Sequence, residues 1–155
     1  MDKIIVDEAI NEARKNMEQG FGGPFGTVII KDDKIIAVAS NSVLKDHDST
    51  AHGEVNAIRK ACSVLGTHDL TGCKLYTTAY PCPMCLGAII WSNIKEVYYG
   101  CTAKDTENIG FRDDYMYDFF NNNMKDESIL KLEEYGREDC LKLFDEFSSK
   151  ERTLY

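Results

Sequence analysis

The sequence predicts an α/β fold in which helices cover both faces of a β-sheet. Segments with apolar residues at helical spacing alternate with short runs that have strand character, and this alternation favours such a layered arrangement. The chain has 155 residues, of which 43% are hydrophobic and 28% charged, as in an ordinary globular domain. We find no repeat, low-complexity tract or linker. We therefore expect residues 1–155 to form a single domain.

The first part of the chain predicts a helix, a loop and a hairpin, in that order. Residues 20–26 contain four glycines and are predicted to form a loop that can approach a ligand closely. Residues 27–31 and 34–40 have strand character and flank Asp32 and Asp33, so they predict a β-hairpin. The first helix is predicted from apolar residues at helical spacing: Ile5, Ala9, Ala13 and Met17.

The middle of the chain predicts a second helix followed by a strand. The helix is expected to run from about His52 to Leu65, with Ser49 or Thr50 as its N-cap. Gly66 is expected to end it, because glycine adopts the left-handed conformation common after a helix. Residues 74–78 then predict a strand.

The remaining elements become harder to predict towards the C-terminus. Pro83 suits the first turn of a further helix, and residues 96–100 predict another strand. The stretch from Ala103 through Asn123 is expected to be a loop. Residues 128–134 fit either a short strand or a short helix, whereas residues 137–148 have clear helical spacing.

The charge balance and the cysteines restrict the partners and the cellular compartment. The net charge is −8, and an acidic chain without a Lys/Arg cluster is a poor candidate for binding nucleic acid. Residues 1–20 carry charges throughout, which is typical of neither a signal peptide nor a membrane span. We therefore expect a cytoplasmic protein with no membrane partner. Six cysteines in a reducing compartment favour metal binding and burial over disulfides.

Two short segments have the residue types of a zinc site. Residues 52–54 are His-Gly-Glu, and residues 81–85 are Pro-Cys-Pro-Met-Cys at the start of a predicted helix. A helix N-terminus lowers the pKa of a thiol, so Cys82 and Cys85 are suited to bind a metal as thiolates. With His52 they make three protein ligands. Catalytic zinc sites typically have three protein ligands and one open position, which holds a water of lowered pKa.

Glu54 is the predicted proton carrier of this site. Standing two residues after His52, it can take a proton from the zinc-bound water and pass it to a ring nitrogen and a departing amine. The combined pattern H-x-E…P-C-x-x-C is the signature of zinc deaminases. A redox Cys-x-x-Cys would leave His-x-Glu unexplained. A structural site would need a fourth ligand, but the remaining cysteines lack ligand spacing: Cys62, Cys73, Cys101 and Cys140.

Beyond these motifs, the chain resembles the bacterial guanine deaminases of the cytidine-deaminase superfamily. The resemblance is carried by residues 23–26 (GPFG), 50–59 (TAHGEVNAIR), 82–89 (CPMCLGAI) and 110–111 (GF). It implies a three-layer α/β/α sandwich with a mixed five-stranded sheet, the cytidine deaminase-like fold. It also implies a homodimer, in which the segment of about 121–155 acts as a lid or is swapped between subunits.

The resemblance also implies which residues contact the substrate. Asn41 would hydrogen-bond the purine edge, and Asp113, or Asp114 beside it, would accept protons from the ring. Aromatic walls and a few placed polar groups suit a flat heterocycle. Each of these positions can also be explained without a substrate. Asn41 can be a turn residue, the rings of Phe25 and Trp91 can belong to the core, Asp113 and Asp114 can be surface carboxylates, and Tyr155 can simply be the chain end. The residues implied in contact with the base are Asn41, Phe25, Trp91, Asp113 and Tyr155.

Two positions depart from the family pattern. Gly53 stands where the family commonly has Ala, and Tyr80 stands where it commonly has Glu before Pro-Cys. The expected function is the zinc-dependent hydrolytic deamination of a free nucleobase. The preferred substrate in this prediction is guanine, which would be converted to xanthine and ammonia. The alternatives are deamination of another small aminopurine, pyrimidine or triazine, and of adenosine in tRNA. A non-catalytic zinc-binding scaffold is a further alternative, although such a scaffold would not need Glu54.

Overall fold

The protein is described here by a computed structural model covering residues 2–154. It contains two compact units, the first running to Asp113 and the second beginning at Asp114. The expected single domain, with a C-terminal element of about residues 121–155 as a lid or swapped segment, stays a prediction. Tyr155, one of the residues implied in contact with the base, lies outside the described residues. None of the helices within residues 2–154 is long and apolar enough to cross a membrane.

The first unit contains five helices and four strands. In chain order they are α1 (Lys3–Glu18), β1 (Gly26–Lys31), β2 (Lys34–Ser40), α2 (Val43–Asp46), α3 (Gly53–Leu65), β3 (Lys74–Ala79), α4 (Pro83–Trp91), β4 (Glu96–Cys101) and α5 (Ala103–Asn108). The second unit contains α6 (Asp114–Asn121) and α7 (Arg137–Ser148). The predicted helices, strands and hairpin of the first hundred residues are confirmed.

The sheet has four strands within residues 2–154, not the five that were expected. Their order is β2-β1-β3-β4, with β1 antiparallel to β2 and β3, and β3 parallel to β4. Residues 128–134, one option for a further strand, form turns and unpaired backbone. Their apolar residues include the adjacent Ile129 and Leu130, which breaks the alternation that a half-buried strand needs.

Helices cover both faces of the sheet, as predicted. Alternate residues of β1 point to opposite faces: Ile29 packs with Leu75 of β3 and with Ala57 of α3. On the other face, Val28 packs with Ala9 of α1. The alternation along β1 therefore places α3 on one face of the sheet and α1 on the other.

The hairpin turn and the end of α3 both use left-handed backbone. Asp32 and Asp33 have φ angles of 49° and 58°, the geometry of a two-residue type I′ turn that matches the twist of the strands. Gly66 ends α3 with a φ of 66°, as predicted.

The predicted N-cap of α3 is wrong. The helix begins at Gly53, and its N-cap is His52 rather than Ser49 or Thr50. The reason is local: Asp48 Oδ1 accepts hydrogen bonds from the backbone N (2.8 Å) and the hydroxyl (2.7 Å) of Thr50. Thr50 is therefore held in an Asx turn before the helix begins, and its hydroxyl is bonded to Asp48 instead of capping α3.

The loop expected between Ala103 and Asn123 is also wrong, because α5 and α6 lie within it. The helix α5 begins with a capping box, in which Thr102 Oγ1 accepts from Asp105 N and the Asp105 side chain accepts from Thr102 N. In the second unit, the predicted helix over 137–148 is confirmed as α7.

The outer edge of β2 is occupied by side chains of α3. Lys60 Nζ donates to the carbonyl of Val38 at 3.0 Å. Asn56 Nδ2 donates to the carbonyl of Ser40 at 2.9 Å. These bonds satisfy backbone acceptors that an edge strand would otherwise expose.

Candidate active site

Two helix N-termini bring the predicted zinc ligands together. His52 is the N-cap of α3, Cys82 is the N-cap of α4, and Cys85 lies in the first turn of α4. Both caps have extended backbone, with φ angles of −72° and −67°. Pro83 stands at the first position of α4, where its missing N–H costs no hydrogen bond. The positive ends of both helix dipoles therefore lie at the candidate metal site.

The three ligand atoms have the spacing that zinc requires. Nδ1 of His52 lies 3.6 Å from Sγ of Cys82 and 3.5 Å from Sγ of Cys85. Zn–S bonds of about 2.3 Å and Zn–N bonds of about 2.0–2.1 Å give a tetrahedron with an N–S edge of about 3.6 Å. The residues present therefore fit zinc. Within residues 2–154, no other His, Cys, Asp or Glu side chains form a group of three that could hold a metal. None of the other four cysteines belongs to the group of His52, Cys82 and Cys85.

The two cysteines are electrostatically different. Two hydrogen bonds lower the pKa of Cys82 to about 4, the larger effect coming from Cys85 and the smaller from His52. The Cys82 thiol is therefore ionised at neutral pH. The hydrogen bond to Cys82 raises the pKa of Cys85, as does its burial. The pKa of His52 is raised, mainly by its hydrogen bond with Cys82. One thiolate is thus already available to a metal in the folded chain.

Glu54 lies beside the ligands, in the first turn of α3. Glu54 is 6% exposed, and this burial raises the pKa of its carboxyl group. Oε2 lies 3.3 Å from Sγ of Cys85, and Oε1 lies 3.3 Å from Oγ1 of Thr77. The carboxylate can therefore hold a proton next to a metal without being one of the three clustered ligands.

An aromatic pair lies beside α3. The rings of Phe25 and Phe111 meet edge to face, with centroids 5.0 Å apart and an interplanar angle of 87°. The carbonyl of Phe25 approaches α3 so closely that a Cβ at Gly53 would lie 2.8 Å from it. The sequence pointed to Phe25 as a wall of the site but gave no role to Phe111, because a ring-to-ring contact across distant segments has no local sequence signal.

Asn41 lies at the end of β2, where it is 6% exposed. Its Oδ1 accepts from the backbone N of Val43 at 3.2 Å, so it does act as a turn residue. Its backbone carbonyl accepts from Nδ2 of Asn16, a buried residue of α1 that sequence reasoning missed. Nδ2 of Asn41 donates to none of residues 2–154. Both N–H groups of this side-chain amide are therefore left for a ligand.

The other predicted contact residues lie in different places. Trp91 is the last residue of α4 and is 77% exposed, whereas Cys85 lies in the first turn of that helix. Within the described chain the structure does not place Trp91 at the zinc ligands. Asp113 is half-buried at the end of the first unit, and Asp114 begins the second. Tyr80 packs its ring edge to face on Tyr99 of β4, with centroids 5.0 Å apart.

Comparison with known proteins gives a consistent result for sequence and structure. The family model for the cytidine and deoxycytidylate deaminase zinc-binding region matches residues 1–101, which include the three candidate ligands and Glu54. The chain is 48% identical to guanine deaminase of Bacillus subtilis over 115 residues, 74% of each chain. It is 38% identical to a tRNA-specific adenosine deaminase of Aquifex aeolicus over 154 residues, 97% of this chain and 95% of the relative.

The solved X-ray structure of guanine deaminase from Bacillus subtilis is similar along the whole chain. The match covers 100% of this chain and 99% of the other, with 36% identity and a TM-score of 0.90.

Proposed function

Because the chain belongs to the cytidine and deoxycytidylate deaminase family, we propose that it hydrolyses free guanine to xanthine and ammonia. The family assignment makes it a zinc-dependent hydrolytic deaminase that acts on a carbon–nitrogen bond. The observation that carries the choice of guanine is the closer agreement with guanine deaminase, which has 48% identity against 38% for the tRNA-specific adenosine deaminase and a structure that matches with a TM-score of 0.90.

The charge balance favours a free base over the tRNA substrate of the other relatives. A tRNA deaminase must bind a flipped nucleotide together with its phosphates, and phosphate binding depends on Lys and Arg. This chain has 18 Lys and Arg residues against 26 Asp and Glu residues. Free guanine carries no phosphate, so an acidic protein pays no electrostatic penalty for binding it.

The chemistry follows from the positions of the ligands and of Glu54. His52, Cys82 and Cys85 would hold the zinc, which supplies a water whose pKa is lowered towards neutrality. Oε2 of Glu54, on the Cys85 side of the carboxylate, takes the proton of the attacking water. It would deliver this proton to the ring nitrogen, then take the proton of the hydroxyl group formed on the ring carbon and pass it to the departing amine, which leaves as ammonia. Burial suits this task, because the raised pKa of the Glu54 carboxyl group lets it hold the proton between the two transfers.

The purine is proposed to lie against the Phe25–Phe111 pair, with the free amide N–H of Asn41 donating to its edge. An apolar ring face and one placed donor recognise a flat heterocycle by shape and by hydrogen bonding. The proposed contacts of Asp113, Trp91 and Tyr155 with the base rest on the family resemblance alone.

Ammonia release from zinc-loaded protein tests the proposal. We expect rapid release from guanine and little from adenine, cytosine, an aminotriazine, the nucleosides or a tRNA anticodon stem-loop. Glu54→Gln should keep its zinc and lose several orders of magnitude in kcat, because the amide cannot carry the proton. Chelation should abolish activity of the wild-type chain. Ammonia release from another compound but not from guanine would refute guanine as the substrate. Full activity of Glu54→Gln would refute proton transfer by Glu54.

We also propose that the enzyme is a cytoplasmic homodimer in which the C-terminal unit is exchanged between subunits or closes a site. All six cysteines are free, which suits a reducing compartment. The second unit exposes many large apolar side chains, which supports a further packing partner for it. Those at least 60% exposed are Leu132, Tyr135, Leu143, Phe144 and Leu154.

A further inference from the structure

A pair of buried threonines lies directly behind Glu54. Thr27 of β1 and Thr77 of β3 are paired in the antiparallel register, and they are 0% and 1% exposed. Their Oγ1 atoms lie 3.3 Å apart, and Thr77 Oγ1 lies 3.3 Å from Glu54 Oε1. Paired residues of neighbouring strands project to the same face of a sheet. The two hydroxyls therefore form a short chain that ends on the carboxylate.

The chemistry of the groups sets the direction of this chain. An ionised carboxylate can only accept, so the Thr77 hydroxyl donates to Glu54 and accepts from Thr27. Both oxygen–oxygen distances, at 3.3 Å, are longer than the usual value of about 2.7–2.8 Å. A donor at Oε1 stabilises the ionised form of Glu54 at a position where burial opposes charge.

The second carboxylate oxygen has a different partner. Oε2 faces Cys85 Sγ at 3.3 Å, but a cysteine that binds zinc as a thiolate has no S–H to donate. Thr77 is then the only side chain within residues 2–154 that donates to Glu54. With zinc bound, Oε1 would stay anchored by Thr77, while Oε2 would lose its thiol partner.

Gly53 provides the space for this arrangement. A Cβ at position 53 would lie 3.0 Å from Thr27 Oγ1 and 2.8 Å from the Phe25 carbonyl. The N-terminal turn of α3 can therefore lie directly on the Thr27 hydroxyl because residue 53 has no side chain. This gives a physical reason for glycine at position 53.

We propose that Thr77, supported by Thr27, is a positioning residue that anchors Oε1 of Glu54 and so directs Oε2 towards the attacking water and the purine. The role of Glu54 in this inference rests on the proposed function. Thr77 itself does not touch the reacting atoms. Its removal should therefore affect the rate of turnover more than the binding of guanine or zinc.

Two substitutions at position 77 separate the hydroxyl from the shape of the side chain. Thr77→Val keeps the branched shape and loses the hydroxyl, whereas Thr77→Ser keeps the hydroxyl. With zinc-loaded protein and guanine, we expect Thr77→Val to lower kcat by about 10- to 100-fold, the range for lost supporting contacts at metal sites. KM and the zinc content should stay close to wild type, and Thr77→Ser should restore most of kcat. Unchanged kcat in Thr77→Val, or equal losses in both variants, would overturn the proposal.

A second measurement tests the contact independently of turnover. Thermal midpoints of the zinc-loaded chain are compared for Thr77→Val in the wild-type background and in a Glu54→Ala background. We expect a larger drop in the wild-type background, because only there does the substitution remove a side-chain donor from a buried carboxylate. Equal shifts would overturn the contact. If the wild-type chain deaminates nothing, the proposed function fails, and this comparison alone decides whether Thr77 anchors Glu54.

Discussion

At the scale of single residues, the close approach of two backbones makes Gly53 a tightly constrained position of the site. Gly53→Ala puts a methyl group 2.8 Å from the Phe25 carbonyl, which cannot move without shifting β1. We expect the free energy of unfolding to fall by about 1–3 kcal/mol, as in other overpacked sites. Gly87→Ala is the matched control, because its Cβ meets nothing within 4 Å in α4. It should add about 0.5–1 kcal/mol, and denaturant unfolding of both variants measures the difference. A stability of Gly53→Ala equal to that of Gly87→Ala would contradict this explanation.

At the scale of elements, α3 depends on its left-handed end as well as on its ligand-bearing start. Gly66 has a φ of 66°, so Gly66→Ala should cost about 1 kcal/mol of unfolding free energy. Gly66→Asn should cost less, because asparagine tolerates this conformation. Circular dichroism during urea unfolding measures both losses. Equal costs for alanine and asparagine would show that backbone conformation does not set the end of the helix.

How well each element could be predicted depended on whether its cause was local. The hairpin, α3 and α7 follow from spacing and turn residues, and His52, Cys82, Cys85 and Glu54 follow from a short motif. The start of α5 also had a local signal, Thr102 with Asp105 three residues later, which was missed. The ring contact of Phe25 with Phe111 and the hydroxyl pair of Thr27 and Thr77 arise only when distant segments meet. No sequence pattern identifies these contacts: each partner is ordinary when considered alone.

At the scale of the whole molecule, the exposed apolar residues of the second unit predict self-association. Side chains such as Leu143 and Phe144 are 62% and 65% exposed, although an isolated chain gains stability by burying such surface. We expect light scattering to give the mass of two chains at micromolar concentration. Replacing Leu143 and Phe144 together with Ser should shift the protein towards one chain. Ser63→Ala, an exposed change on α3 of the first unit, is the control that should leave the mass unchanged. A wild-type mass of one chain would contradict the dimer.

The side chains along β2 have a consequence for how large an assembly can grow. Lys60 and Asn56 already occupy carbonyls on the outer edge of β2, so a foreign strand meets blocked acceptors there. The other edge, β4, pairs with no further strand among residues 2–154. Backbone pairing with another chain is therefore hindered at the β2 edge of each sheet, where two carbonyls already have partners. Two copies joined edge to edge through β4 would present a blocked β2 at both ends, so growth would stop at the pair and would not continue into a fibre.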